Sequence, residues 1–157
     1  MLPALSLDGI LTVKIVEGSF TTERFEEFID GLLDHMTPFP GPNSVIVMDN
    51  CRIHRARSVR EMIEERFVTM CLRSLHRTNK VFSGMMCEFL PSYSPDFNPI
   101  ELAFSKFKTH IRRRQHILAS ISCEDDDGFE CVSFLHDAVW SVTPEDAEGY
   151  FKHCNYN

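Results

Sequence analysis

Apolar residues along this chain follow two spacings, which predict a mixture of strands and helices. Two short apolar runs, at residues 4–7 and 11–17, flank the pair Asp8-Gly9, which favours a type I′ turn and therefore predicts a β-hairpin. Residues 45–48 form a continuous apolar run that is typical of a central strand buried on both faces of a sheet. Residues 86–90 predict another short strand.

Two helices are predicted in the N-terminal half of the chain. The first follows Thr21, which can cap it, and should end near His35. The second is predicted over residues 58–67. Their inward-facing residues are predicted to be Phe25, Phe28, Ile29, Leu32, Leu33 and Met36 in the first, and Val59, Met62, Ile63 and Phe67 in the second.

Three more helices are predicted in the C-terminal half. Asn98 caps one of them and Pro99 takes its first position, while Thr143 begins the last one, which should run through Phe151. Trp140 is expected to pack against the core. The buried residues are predicted to be Ile100, Ala103, Phe104, Phe107 and Ile111 after Asn98, and Val132, Leu135, Ala138 and Val139 in the intervening helix.

The order of these elements favours an α/β fold in which a mixed sheet is flanked by helices. A chain of 157 residues fits one domain with a substantial core, so residues 1–157 are predicted to form a single domain. The loop of residues 91–97 contains two prolines, which disfavour a helix there. Residues 68–84 have no clear period, and we interpret them as an irregular insertion.

Composition narrows the class of protein. The formal net charge of −7 argues against a generally nucleic-acid-binding surface, so that any DNA contact must be local. The six cysteines are scattered, which favours free thiols in a reducing compartment. No apolar run is long enough to span a membrane, and the first residues lack the basic region of a signal peptide. We therefore expect an intracellular protein that is not secreted.

Two acidic residues lie where ligand sites of α/β sheets collect. Asp49 follows the strand at residues 45–48, and Glu101 lies in the first turn of the helix after the next strand. Parallel strands would bring both carboxylates to one sheet edge, where they would suit Mg²⁺ or Mn²⁺. Each acid has a structural alternative, because Asp49 can close a strand and Glu101 can complete a capping box with Asn98.

Two sequence blocks resemble the downstream motifs of mariner-like DDE transposases. The similarity runs from Leu5 to the C-terminus, and the second block is the more specific. The blocks are Met48-Asp49-Asn50-Cys51-Arg52-Ile53-His54 and Pro91-Ser92-Tyr93-Ser94-Pro95-Asp96-Phe97-Asn98-Pro99-Ile100-Glu101.

The resemblance implies a ribonuclease-H-like catalytic domain in which three acids hold two Mg²⁺ or Mn²⁺ ions for DNA strand cleavage and strand transfer. By this resemblance Asp49 is the second acid and Glu101 the third. The partner would be DNA, namely transposon ends, in the nucleus, and a homodimer is compatible with the family.

Two departures from the family bear on activity. In the family the first acid lies on the first strand of the sheet, upstream of the hairpin, and this chain lacks that strand and that Asp. Asp8 belongs to the hairpin turn instead. We therefore expect little or no catalysis, and the alternatives are a noncatalytic DNA- or protein-binding remnant or a non-functional gene fragment. The interval between Asp49 and Glu101 is also longer than usual, and the surplus falls on residues 68–84.

Several other residues are candidates for supporting roles. Asn50, His54, Asp96 and Asn98 lie within the two blocks, and His54 could orient a phosphate or hydrogen-bond near Asp49. Cys51 and His54 have a ligand-like separation, but no second pair completes a zinc site. The candidates for DNA backbone contact, or for a solvated face that complements the helix dipole, are Lys106, Lys108, Arg112, Arg113 and Arg114.

Overall fold

The fold is that of a computed structural model, which describes residues 1–75, 86–114 and 129–156. The chain forms two compact units, one made of Met1–Ile15 with Pro95–Asn157 and the other of Val16–Ser94. Small sheets flanked by helices give a mixed α/β architecture, as predicted. Within the described residues the strands form one antiparallel and one parallel two-stranded sheet, so both kinds of pairing in a mixed sheet are present, but in separate sheets.

The first unit begins with the predicted hairpin, which consists of β1 (Leu2–Ser6) and β2 (Gly9–Lys14). The predicted type I′ turn at Asp8-Gly9 is wrong, because Ser6 pairs with Gly9 and the turn residues are Leu7 and Asp8. A type I′ turn needs positive φ at both central residues, and here Gly9 alone has it, at 107°. The Ser6 hydroxyl accepts the Asp8 N–H at 3.1 Å and donates to the Gly9 carbonyl at 3.2 Å, which stabilises the observed turn.

Among the described residues, three helices belong to the first unit: α3 (Pro99–Arg113), α4 (Phe129–Val139) and α5 (Pro144–His153). Asn98 caps α3 by accepting the Ile100 N–H, and Pro99 is buried in the first turn, as predicted. Apolar side chains from the hairpin, the three helices and the link between α4 and α5 form one core, whose buried members are Ile10, Ala103, Phe107, Val139, Val142 and Ala147.

The buried face of α4 differs from the prediction. Val132 is 40% exposed and Trp140, which follows the helix, is 53% exposed, so neither packs into the core as expected. Phe134 is buried instead, together with Ala138 and Val139. The inward face of α4 is therefore marked by residues 134 and 138 rather than by residues 132 and 135. The apolar pattern of a short helix is compatible with either face, and the neighbouring elements decide which one is buried.

A polar network fixes the beginning of α5. Thr143 and Asp146 form a capping box, in which the Thr143 hydroxyl accepts the Asp146 N–H and the Asp146 carboxylate accepts the Thr143 N–H at 2.8 Å. The same carboxylate pairs with the Lys106 ammonium of α3. This ion pair joins two helices of the unit, and it involves Lys106, which the sequence analysis named as one candidate for DNA contact.

The second unit contains α1 (Thr22–Leu33), β3 (Val45–Met48), α2 (Arg57–Leu75) and β4 (Met86–Phe89). Thr21 caps α1, whose predicted apolar stripe is buried, and β3 pairs with β4 in parallel. The prediction that β3 is buried on both faces is wrong. Val45 and Val47 are 39% and 40% exposed, whereas the alternating Ile46 and Met48 are buried. The strand thus has one covered face.

The helix α2 is longer than its sequence period suggested. Val59 and Ile63 are buried as predicted, and the helical backbone continues to Leu75. The first eight residues of the segment predicted to be irregular, 68–75, are therefore helical, because an apolar period is not required where a helix continues from a packed start. Residues 76–84 lie outside the described residues. The assignment of residues 1–157 to a single domain stays a prediction.

Composition predicted that the cysteines are free thiols and that no segment spans a membrane. Cys51, Cys87, Cys131 and Cys154 are free thiols, as predicted, and the side chains of Cys71 and Cys123 lie outside the described ones. Burial raises the pKa of the Cys87 thiol. Among the helices of the described segments, none is both long and apolar enough to cross a bilayer.

The Lys106–Asp146 pair predicts a specific acid sensitivity. The hydrogen bond from Lys106, followed by that from the Thr143 backbone, holds the pKa of Asp146 below its usual value. A depressed carboxyl pKa contributes stability above the unfolded-state pKa of about 4, and this contribution is lost as the pH falls further through the folded-state value. We expect Asp146→Asn to lower the free energy of unfolding at pH 7 and to flatten its fall below about pH 4.

Urea denaturation at a series of pH values measures this effect. Lys106→Met should flatten the same pH range, because it removes the largest cause of the shift. Glu148→Gln, on the exposed side of the same helix, controls for the loss of one carboxylate. Unfolding curves of Asp146→Asn that keep the full acid dependence would contradict the assignment.

Candidate active site

Asp49 lies at the carboxyl end of β3, at the start of a tight turn. The Cys51 N–H donates to Asp49 Oδ1 at 2.8 Å, and His54 Nδ1 lies 2.7 Å from the same oxygen. An ionised carboxylate can only accept, so the imidazole is the donor in this contact. The turn of residues 51–54 therefore folds back on Asp49 and fixes one of its two oxygens.

His54 is held from a second direction by α1. Its ring stacks on the Phe25 ring, with centroids 4.4 Å apart and planes inclined by 29°. The His54 side chain is 16% exposed, whereas the Asp49 side chain is 53% exposed. The histidine is thus a largely covered support for an open carboxylate. The hypothesis that His54 hydrogen-bonds near Asp49 agrees with this contact.

Asn50 joins the ends of the two parallel strands. The Leu90 N–H donates to the Met48 carbonyl at 2.8 Å, and the Asn50 side-chain amide donates to the Leu90 carbonyl. The carboxyl ends of β3 and β4 therefore meet at one edge, as the sequence predicted. Asn50 extends the strand pairing by one further hydrogen bond, which gives it a structural role next to Asp49.

Glu101 lies in the first turn of α3 and is exposed. The capping-box alternative is wrong, because the Asn98 N–H that it would engage donates to the Pro95 carbonyl at 2.9 Å. Glu101 belongs to the first unit and Asp49 to the second, so their sharing of one cation stays a prediction. In the portions of the chain that are described, no group of three His, Cys, Asp or Glu side chains is arranged to hold a metal.

Asp96 and Asn98, the two supporting candidates from the second block, have different environments. Asp96 is exposed in a short 3-10 helix at Pro95–Phe97, a turn that the two prolines of this loop did not prevent. Its charge adds to the effect of burial, which is the main cause, in raising the pKa of the Cys154 thiol. Asn98 is used as the cap of α3. Both residues belong to the first unit.

The basic residues of α3 fall into two groups. Lys108 and Arg112 are exposed on the helix surface. A second group lines a cavity of about 230 Å³, and its members are Lys106, Thr109, His110, Arg113 and Arg114. The sequence analysis missed Thr109 and His110, although positions 106, 109, 110 and 113 have the spacing of a single helix face and could have indicated them.

Asp49 and Glu101 are chemically suited to a hard divalent cation. Both hydrogen bonds to Asp49 engage Oδ1, and no partner of Oδ2 is found among the described residues. Glu101 is exposed in the first turn of α3. Carboxylate oxygens of this kind are the ligands that Mg²⁺ prefers. Each of these carboxylates is therefore a suitable ligand type for such an ion, and Asp49 offers one oxygen.

The two contacts of His54 predict distinct mutational effects. His54→Ala should lower the free energy of unfolding by about 1 kcal/mol, because it removes the ring stacked on Phe25. His54→Phe keeps an aromatic ring in the stack and loses only the partly exposed bond to Asp49, so it should cost less. Urea denaturation compares the two variants. Equal losses would show that the stack contributes nothing.

Comparison with known proteins identifies the lineage of the chain. Residues 1–122 match the family described as DDE superfamily endonuclease, and this match includes both sequence blocks. No curated protein and no solved structure matched the chain. Endonucleases of this superfamily act on DNA and generally use divalent metal ions. Because the match covers well over half of its residues, the chain belongs to the DDE superfamily of endonucleases.

Proposed function

We propose that this chain is the catalytic-domain portion of a mariner-like transposase, with the phosphodiester bonds of transposon ends as the substrate class. The observation that carries this proposal is the position of Asp49 in a chain of this superfamily. It follows a strand in parallel pairing, has one oxygen fixed by two donors and leaves the other without a partner among the described residues. Such a protein acts where DNA is, which in a eukaryotic cell is the nucleus.

Each residue of the proposed site has a defined part. Asp49 Oδ2 and the Glu101 carboxylate would hold Mg²⁺ or Mn²⁺. His54 and the Cys51 N–H orient the Asp49 carboxylate, and Asn50 keeps the strand ends together. A bound divalent ion lowers the pKa of water and stabilises the leaving oxygen in phosphoryl transfer. These protein groups position oxygens and do not act as nucleophiles.

Residues 1–157 supply two of the three acids that the family uses. Asp8, the acidic residue of the hairpin, lies in the turn between β1 and β2 rather than on a central strand. A site with two carboxylates binds a pair of divalent ions poorly, because each ion then has too few protein oxygens. We infer that the 157-residue polypeptide, supplied alone, cleaves DNA little or not at all.

A second candidate function is noncatalytic DNA association. The observation that favours it is the concentration of exposed cations on α3, where Lys108, Arg112, Arg113 and Arg114 lie within two turns of helix. Such a face can contact phosphates without any metal. The plain alternative is that these cations complement the negative end of the helix dipole.

Binding of Mn²⁺ tests whether the two acids share a cation. We expect Asp49→Asn and Glu101→Gln each to weaken Mn²⁺ binding, measured by electron paramagnetic resonance of the free ion, and the double variant to be no weaker than either single one. Non-additivity of this kind is expected for ligands of one ion. Asp8→Asn is the matched control and should leave the affinity unchanged. Additive losses would argue against a shared site.

A plasmid-nicking assay tests the inferred lack of catalysis. With Mg²⁺ or Mn²⁺, the 157-residue protein should relax supercoiled plasmid no faster than its Asp49→Asn variant does. Metal-dependent nicking that Asp49→Asn abolishes would overturn the inference, and it would show that two carboxylates suffice.

A further inference from the structure

The segment that follows α5 turns back on that helix in a defined way. Asn155 has a positive φ of 64°, and its N–H donates to the Lys152 carbonyl at 3.1 Å. The Tyr156 N–H donates to the Phe151 carbonyl at 3.0 Å, and the rings of these two residues meet edge to face, with centroids 5.5 Å apart. The two hydrogen bonds and the ring contact form a Schellman motif, which fixes the position of Tyr156 relative to α5.

Tyr156 contacts the turn that leads into α3. Its hydroxyl donates to the Phe97 carbonyl at 3.1 Å. The pKa of this hydroxyl is raised, mainly by burial, so it stays protonated and able to donate throughout the neutral range. The N–H of the same peptide group belongs to Asn98 and donates to the Pro95 carbonyl at 2.9 Å. The planar Phe97–Asn98 peptide is therefore held at both of its polar ends.

The Phe97–Asn98 peptide sets the direction in which α3 begins. Asn98 accepts the Ile100 N–H with its side chain at 3.4 Å and the Glu101 N–H with its carbonyl at 3.1 Å. Two of the first N–H groups of the helix thus depend on the placement of one residue. Glu101 lies less than one helical turn after Asn98, so a rotation of this peptide would move the Glu101 backbone as well.

α5 has a second polar contact with α3. Lys106 of α3 pairs with Asp146 in the first turn of α5, whereas Tyr156 reaches the beginning of α3 from the other end of α5. The two helices therefore run in opposite directions. Ala103 and Ala147 are both fully buried and lie, along their helices, between these two contacts. The first turns of α3 are thus attached to α5 at two points.

We propose that Tyr156 is a positioning residue for Glu101, which acts through the Phe97–Asn98 peptide and the capped first turn of α3. The proposal deepens the proposed function, because it rests on Glu101 being a ligand of a divalent cation. Glu101 is exposed, so its position depends on how firmly its turn is held rather than on packing of its own side chain. Tyr156 lies beyond the residues that match the family, and neither sequence block contains it.

Amide hydrogen exchange, measured by NMR without metal, tests the positioning directly. Tyr156→Phe keeps the ring in the Schellman motif and removes only the hydroxyl. We expect exchange of the Asn98 and Glu101 N–H groups to become about fivefold faster, the factor for one lost hydrogen bond, while exchange at Phe107 stays unchanged. Tyr150→Phe is the matched control, because it removes a hydroxyl from α5 at a residue that packs against the core, and it should leave exchange at Asn98 and Glu101 unchanged.

Two results of this experiment would overturn the proposal. One is unchanged exchange at Asn98 and Glu101 in Tyr156→Phe. The other is equal acceleration at Phe107, because that pattern marks a general loss of stability rather than a local effect on the first turn.

Asn155 allows a second test that leaves Tyr156 intact. Alanine is strained at a positive φ, whereas glycine adopts it freely. Asn155→Ala should therefore disfavour the Schellman motif and speed exchange at Asn98 and Glu101, and Asn155→Gly should not. Equal exchange in these two variants would contradict the role of the turn after α5.

Mn²⁺ binding connects the first turn of α3 to the proposed cation site. We expect Tyr156→Phe to weaken binding about threefold, and to have no further effect when Glu101→Gln is already present, because the hydroxyl acts through Glu101. If Glu101→Gln alone weakens binding and Tyr156→Phe does not, the positioning role is overturned. If Glu101→Gln alone has no effect, the cation assignment fails instead, and the exchange experiment still decides whether Tyr156 holds the turn.

Discussion

The parallel pairing of β3 with β4 is the constraint on which the candidate active site depends. Parallel strands cannot be joined by a tight turn, so the chain crosses over through α2 and both strands end at the same edge. The hydrogen bonds of Leu90 and Asn50 carry this pairing beyond the last strand residues. Asp49 therefore lies between Met48, whose carbonyl accepts the Leu90 N–H, and Asn50, whose side-chain amide donates to the Leu90 carbonyl. A shift of the strand by one residue would move its carboxylate to the opposite face of the sheet.

The two hydrogen-bond donors on Asp49 Oδ1 orient this carboxylate, and they also limit how many of its oxygens can bind a cation. Supporting hydrogen bonds of this kind orient a metal ligand, and the ring stack of His54 on Phe25 makes the support rigid. The same bonds leave one oxygen for a cation, because coordination through both oxygens would require Oδ1 to release its donors. A divalent ion then depends strongly on other carboxylates for its remaining ligands.

The features that were predictable from the sequence are local ones. Thr21, Asn98 and Thr143 cap helices because each acceptor and the N–H that it engages lie within three residues. The position of β3 was predictable as well, but the exposure of Val45 and Val47 was not, because it depends on which elements cover the strand. The stack of His54 on Phe25 and the pairing of Lys106 with Asp146 join residues far apart in sequence, and periodicity carries no information on such contacts.

The acidic composition and the basic face of α3 are physically compatible. A net charge of −7 repels a polyanion at long range, so electrostatic steering toward DNA should be weak. At physiological salt the Debye length is about 8 Å, and charges farther away than this are largely screened from a bound phosphate. Residues 106–114 span about 12 Å of helix, so cations on one face of α3 act within or near that distance. Local arrangement rather than total charge therefore decides whether an acidic chain can hold a backbone phosphate.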